Sequence, residues 1–168
     1  MAKLKYVLII LLILLTVTAG TASAAITMTI NSGGDLTFGT KGDAGWQGGY
    51  RQLTSLTGYF NRALCQSTNG AVYFFRIRNL APLTHTTKSE YTIDNSSFRW
   101  MSTYTSGAGQ LKYATLVPFQ SSYDTVYTST ANGDSGNQIE IQFIYDLTVT
   151  DAIAAGSYQT TIEYLMTE

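Results

Sequence analysis

The side chains best suited to catalysis or metal binding are scarce in this sequence. His85 is the only histidine and Cys65 the only cysteine among 168 residues. Nucleophilic and acid–base chemistry generally needs a positioned base, and a Cys/His metal centre needs several ligands. One imidazole in the loop-like segment LTHTTK supplies neither arrangement. We therefore expect no catalytic residue, no metal site and no cofactor, and we predict that the protein is not an enzyme.

Cys65 leaves two interpretations open. A single cysteine cannot form a disulfide within its own chain, although it could bridge two molecules in an oxidising compartment. It lies in ALCQ, at the end of an apolar-leaning segment, where cysteine commonly acts as a small buried hydrophobic residue. We favour the buried residue over the intermolecular bridge.

The acidic residues are scattered rather than paired. Glu140, Asp146 and Glu163 fall on the polar faces of predicted strands, where we expect solvent to surround them. A glycosidase would need two carboxylates flanking one bond of a sugar. The segment NGDSGN, residues 132–137, offers oxygen ligands but lacks the full spacing of a calcium loop. Because the same residue types favour tight turns, we predict a turn there.

The first residues have the pattern of a secretory signal peptide. Two lysines precede an apolar run over residues 6–15, and Ala-Ser-Ala follows at residues 22–24. A basic start, a short apolar core and a small-residue exit are typical of a cleaved signal. The run is shorter than the ~20 residues of a membrane span, so an uncleaved anchor is the less favoured alternative. We predict a signal peptide over residues 1–24 and one domain over residues 25–168, in the periplasm or at the cell surface.

The charge balance argues against a nucleic-acid partner. Without Lys3 and Lys5, the predicted domain has 8 basic and 11 acidic residues, a formal charge of −3. Arg76 and Arg78 form its densest basic pair, which is far from the basic patch that phosphate backbones require. Charged residues make up 12% of the chain, about half the usual share. Surface polarity must therefore come mainly from Thr, Ser, Asn and Gln, which suit a sheet.

Alternation of apolar and polar residues dominates the predicted domain. The clearest run places these residues on one face of a strand: Ile139, Ile141, Phe143, Tyr145, Leu147 and Val149. A second run places these on one face of the last strand: Tyr158, Thr160, Ile162, Tyr164 and Met166. Further candidates are ITMTI, Leu36 with Phe38, AVYFFRIRN, EYTID, FRWMS, LKYATLV and DTVYTST. Strand runs separated by turn signals predict an all-β sandwich or barrel.

Three segments resemble a known family. The long strand IEIQFIYDLTV, the following AAGSYQTTIEYLM and the early LTFGT are similar to segments of bacterial spore coat protein U-type and chaperone–usher fimbrial subunits, over about a third of the predicted domain. The resemblance implies an immunoglobulin-like antiparallel β-sandwich that is secreted, non-enzymatic and often polymeric. It therefore favours a structural subunit of a bacterial surface fibre or coat.

Assembly of such a subunit could use strand pairing between copies. The candidate assembly residues are Ile26, Met28 and Ile30 of the first strand and Tyr158, Ile162 and Tyr164 of the last. ITMTI could fill a neighbour's groove, or it could be the first strand of its own domain. We expect self-association or homologous subunits as partners, with a periplasmic chaperone as a further one.

Two alternatives remain at this point. A secreted carbohydrate-binding or adhesion module would use exposed aromatic residues as sugar platforms, and Trp46, Tyr50 and Tyr104 are the candidates. Trp100 is also near a predicted loop, but FRWM suits a core position equally well. A small outer-membrane β-barrel would show alternating strands too, although only two segments approach the ~10 residues that a spanning strand needs.

Overall fold

The computed structural model describes residues 25–31, 36–53 and 59–168, and their regular structure is almost entirely β-strand. The predicted signal peptide, residues 1–24, lies outside the described residues. The strands are β1 (Ile26–Asn31), β2 (Tyr50–Leu53), β3 (Asn61–Ser67), β4 (Phe74–Asn79), β5 (Leu83–His85), β6 (Thr92–Ile93), β7 (Phe98–Thr105), β8 (Gln110–Leu111), β9 (Val117–Pro118), β10 (Asp124–Thr128), β11 (Ile139–Thr148), β12 (Tyr158–Gln159) and β13 (Ile162–Thr167). Two short 3₁₀ turns cover Asn95–Ser97 and Gly133–Gly136.

Within the described residues these strands form three antiparallel sheets. The largest has the order β1-β3-β11-β7-β9, and β2 pairs with the second half of β11 on the side where β3 pairs with its first half. A second sheet has the order β13-β4-β10-β8, and a small third sheet has the order β12-β5-β6. The prediction of an all-β protein is confirmed.

The core lies between the two larger sheets. Phe143 of β11 is fully buried, and its ring centroid lies 6.0 Å from those of Phe75 on β4 and Tyr164 on β13. The alternation predicted for β11 holds, since its apolar face is buried from Ile139 to Leu147. Trp100 is also fully buried. The two sheets therefore pack face to face in the manner of a sandwich.

One polar contact links the two sheets inside the core. The Tyr145 hydroxyl lies 2.7 Å from the Tyr164 hydroxyl and donates to the Asn61 side-chain oxygen at 3.0 Å. Burial raises the pKa of both tyrosines. Because buried polar groups need hydrogen-bond partners, this cluster fixes β13 opposite β11 at one position. It sets the register in which β13 faces the larger sheet.

The outer face of β11 departs from the prediction at Asp146. This carboxylate was expected in solvent, but it is fully buried and accepts two hydrogen bonds from Arg99, at 2.9 and 2.6 Å. Burial of a carboxylate is tolerated when a bidentate partner satisfies it. Glu140 on the same face is half-buried and pairs with Arg62 at 2.8 Å.

Three predicted strands are also corrected. LKYATLV, residues 111–117, is not one strand, because only its first and last residues belong to strands, in β8 and β9. The last strand is not continuous over residues 158–166. It is interrupted at residues 160–161, where the Thr160 hydroxyl lies 2.6 Å from the Asn79 side-chain oxygen and from the Ala81 carbonyl oxygen. The chain therefore divides into β12 and β13, which belong to different sheets. Residues 36–40, expected as a strand, are not part of a strand, although Phe38 is buried in the core.

Candidate functional site

The inner face of β1 is poorly covered. Within the described residues β1 pairs with β3 alone, and its register places Ile26 opposite Ser67 and Met28 opposite Cys65. Directly opposed residues of antiparallel strands share a face, so the apolar side chains of β1 point inward with those of β3. Ile26 and Met28 nevertheless remain 38% and 36% exposed, and Ile30 is half-buried. In this structure ITMTI is thus the edge strand of its own domain, but it is only partly packed.

β13 is the edge of the opposite sheet. Among the described strands it pairs with β4 alone, and the register sets Ile162 opposite Asn79 and Tyr164 opposite Ile77. Ile162, Tyr164 and Met166 point inward, but each keeps some exposure although their partners on β4 are buried. An edge strand presents unpaired backbone N–H and C=O groups to its surroundings.

β1 and β13 meet at the same side of the two packed sheets. We call this side the open edge, formed by Ile26, Met28, Ile30, Ile162, Tyr164 and Met166. Five of the six residues singled out for assembly lie there. The residues of β1 lie 132 or more positions before those of β13, and the folding of two separate sheet edges onto one side of the molecule brings the two groups together.

Tyr158 is the predicted assembly residue that lies elsewhere. It belongs to β12, where it is opposite His85 of β5, and its ring meets the His85 ring edge-on at 5.2 Å. Its hydroxyl donates to the Ala154 carbonyl at 2.8 Å. Tyr158 therefore secures the connection that leads into β13 and does not contribute to the open edge.

Both ends of β13 are tied down by polar contacts. At its start Glu163 accepts hydrogen bonds from Arg78 at 2.7 Å and from Tyr123 at 3.0 Å, and the bond from Arg78 lowers the pKa of Glu163. Beyond its end Glu168 accepts from Ser67 and Asn69, each at 2.6 Å. These contacts hold β13 in place while its outer side stays without a strand partner in the described structure.

Cys65 is buried beneath the open edge. It lies on the inner face of β3 opposite Met28, and desolvation raises the pKa of its thiol to about 12. A thiol that is buried and protonated is a poor nucleophile. This geometry favours the buried hydrophobic interpretation, since a bridge to another molecule would require the thiol to become exposed.

The three aromatic residues proposed as sugar contacts do not form one platform. Trp46 packs against the core and donates its ring N–H to the Phe38 carbonyl at 3.1 Å. Tyr50 is opposite Thr148 of β11, whereas Tyr104 is opposite Gln142. Gln142 and Thr148 are six positions apart on β11, which corresponds to ~20 Å along a strand.

His85 uses its ring nitrogens for structure. Nδ1 accepts the backbone N–H of Thr87 at 3.1 Å, and Nε2 lies 3.3 Å from the Ala155 carbonyl oxygen. Within residues 25–31, 36–53 and 59–168 no group of three or more His, Cys, Asp or Glu side chains could hold a metal ion. The predicted turn at residues 132–137 is present, but its Asp134 carboxylate points inward, towards Tyr73 and Tyr127.

Sequence reasoning missed the role of Asp134. Its carboxylate accepts hydrogen bonds from the hydroxyls of Tyr73 and Tyr127, at 2.8 and 2.9 Å. Local sequence identified it only as a turn residue, because turn propensity does not show which side chains a turn residue will contact, and Tyr73 is 61 positions away in the chain.

Compared with known proteins, the chain matches no family model, no curated protein and no solved structure. In the described part of the chain, no helix has the length and apolar character needed to cross a membrane.

Proposed function

We propose that this protein is a secreted, non-enzymatic structural subunit of a bacterial surface fibre or coat, with an immunoglobulin-like sandwich that assembles by β-strand pairing. The observation that carries the proposal is the open edge. There an unpaired strand side and inward-pointing apolar side chains lie together, with Ile26 and Met28 more than a third exposed.

The donor segment in this proposal is ITMTIN of a neighbouring copy. Its apolar side chains are incompletely buried in their own domain, so releasing them from β3 gives up less apolar contact than releasing a fully buried strand would. Pairing along the free side of β13 would bury them and satisfy backbone groups at the same time. A periplasmic chaperone would cover the same edge before assembly.

The low charge of the chain supports this mode of association. Natural proteins commonly protect edge strands with lysines or other charges. β1 carries no charged residue, and β13 carries only Glu163, which is engaged by Arg78. The open edge therefore lacks the charges that would discourage pairing with another strand.

The test compares two single substitutions on β1. Met28 points inward at the open edge, whereas its neighbour Thr29 points outward, opposite Leu64. We expect Met28→Asp to abolish self-association and Thr29→Asp to leave it intact, because only the first places a charge among the buried apolar residues. Size-exclusion light scattering measures association, and circular dichroism verifies that each variant is folded.

A truncated protein lacking residues 25–31 provides the complementary measurement. It should remain folded and monomeric, and it should bind a synthetic peptide of residues 25–31 more tightly than the same peptide with Met28→Asp. An intact protein that stays monomeric at high concentration, together with a truncation that unfolds, would reject assembly through this edge.

A further inference from the structure

A cleft of about 400 Å³ opens at one end of the larger sheet. One wall is the connection from β7 to β8, and the other is the turn that leads into β11. We call it the turn cleft, and its lining includes Ser106, Thr130, Asn132, Asp134, Asn137 and Gln138.

The turn that forms one wall has an unusual backbone. Four consecutive residues, Gly133–Gly136, have positive φ values of 61°, 55°, 58° and 75°. Glycine adopts this region freely, whereas Asp134 and Ser135 adopt it only with backbone strain. Left-handed residues normally occur singly, and strain of this kind collects at functional sites.

A buried hydrogen-bond cluster holds both walls. The Asp134 carboxylate is almost fully buried and accepts from the hydroxyls of Tyr73 and Tyr127, at 2.8 and 2.9 Å. The Tyr127 oxygen in turn accepts the backbone N–H of Gly109 at 2.7 Å. One tyrosine therefore connects the strained turn to the β7–β8 connection, and the shape of the cleft is set before any ligand arrives.

The lining indicates the chemical class of ligand. Hydroxyl and amide side chains predominate, and the lining residues include neither Lys nor Arg. A site without a cation is unsuited to phosphate or sulfate, and one with few apolar side chains is unsuited to a lipid. Amides and hydroxyls both donate and accept hydrogen bonds, which matches the hydroxyl groups of a neutral sugar.

An exposed aromatic residue lies close to the cleft along the chain. Tyr104 is 48% exposed and precedes the lining residue Ser106 by two positions on the same strand and its extension, ~7 Å along the chain. An aromatic side chain with an apolar face and a polar end suits a ligand that likewise has an apolar surface and solvated polar groups. We propose that the turn cleft, together with Tyr104, binds a neutral carbohydrate.

The test titrates the methyl glycosides of glucose, galactose, mannose and N-acetylglucosamine into the isotope-labelled protein and follows backbone amide shifts by NMR. We expect saturable shifts in residues 106–108 and 130–139. Tyr104→Ala and Gln138→Ala should each weaken binding, the first by about tenfold. Tyr91→Ala and Gln52→Ala are matched controls outside the cleft and should leave the affinity unchanged.

The possible outcomes separate cleanly. Absence of saturable shifts with all four glycosides overturns the proposal, as does binding that is insensitive to both cleft substitutions. A preference for glucuronic or sialic acid over the neutral sugars also overturns it, because the lining offers no cation. Self-association is measured independently at the open edge, so failure of sugar binding leaves the assembly proposal standing and the reverse also holds.

Discussion

Replacing Phe143 by alanine tests the arrangement of the two sheets most directly. Phe143 is fully buried and its ring lies 6.0–6.2 Å from those of Phe75, Trp100, Tyr145 and Tyr164. Burial of ~150–200 Å² at ~25 cal/mol per Å² corresponds to roughly 4–5 kcal/mol. Since alanine retains the Cβ atom but leaves a cavity, we expect Phe143→Ala to reduce the free energy of unfolding by about 3–5 kcal/mol.

Phe74→Ala is the matched control. Phe74 lies on the outer face of β4, is half-buried, and has the Arg76 guanidinium 5.2 Å above its ring. Loss of partial burial and of one cation–π contact should cost about 1 kcal/mol. Urea unfolding followed by tryptophan fluorescence measures both variants, because the buried Trp100 ring borders Phe143.

The comparison has a clear negative result. Equal losses of stability for Phe143→Ala and Phe74→Ala, with unchanged dependence on urea, would mean that the inner and outer faces are assigned incorrectly. Thermal unfolding provides a second measurement, since a loss of this size corresponds to a decrease of about 10–20 °C in the unfolding midpoint for a domain of this length.

Three further predictions concern charge, thiol reactivity and processing. The bond from Arg78 lowers the pKa of Glu163, so the stability that this ion pair contributes is fully present above the ordinary glutamate pKa and is lost as the pH falls through the lowered pKa. The free energy of unfolding of Glu163→Gln, measured by urea titration, should therefore fall less steeply with acid than that of the unsubstituted protein. The same dependence on pH in both proteins would contradict this. Because burial raises the pKa of Cys65 to about 12, the thiol of the folded protein should react with Ellman's reagent far more slowly than the thiol of the unfolded protein. Rapid reaction of the folded protein, or a disulfide-linked dimer on a non-reducing gel, would show that Cys65 is accessible. Intact-mass analysis of the secreted protein should give Ala25 as its first residue, and retention of Met1 would exclude the predicted cleavage.

The all-β class was predictable because the alternation of apolar and polar residues along a strand reflects which side chains are buried. In β11 every second residue from Ile139 to Leu147 is apolar, and each of these is buried. Asp146 shows where this reasoning stops. Its residue type predicts solvent, yet Arg99 of the neighbouring strand satisfies its carboxylate within the sheet. Alternation identifies faces, but it does not identify the partner across a strand pair.

The candidate assembly residues were predictable for the same local reason, but their meeting was not. Period-two patterns identify apolar faces at residues 26–30 and 162–166. The pairing of β1 with β3 and of β13 with β4 then leaves both strands at sheet edges. The interruption at Thr160 could not be read from the pattern, because it depends on hydrogen bonds to Asn79 and Ala81.

The sequence by itself determined the all-β class, the buried face of the longest strand and the position of the tight turn at residues 132–137. These follow from side-chain periodicity and from the backbone preferences of Gly, Asn and Asp, which act over a few residues. Only the tertiary structure placed β1 and β13 at one open edge and bent Asp134 towards Tyr73 and Tyr127. Both outcomes depend on pairings between distant parts of the chain, and local preferences carry no information about which distant groups will meet.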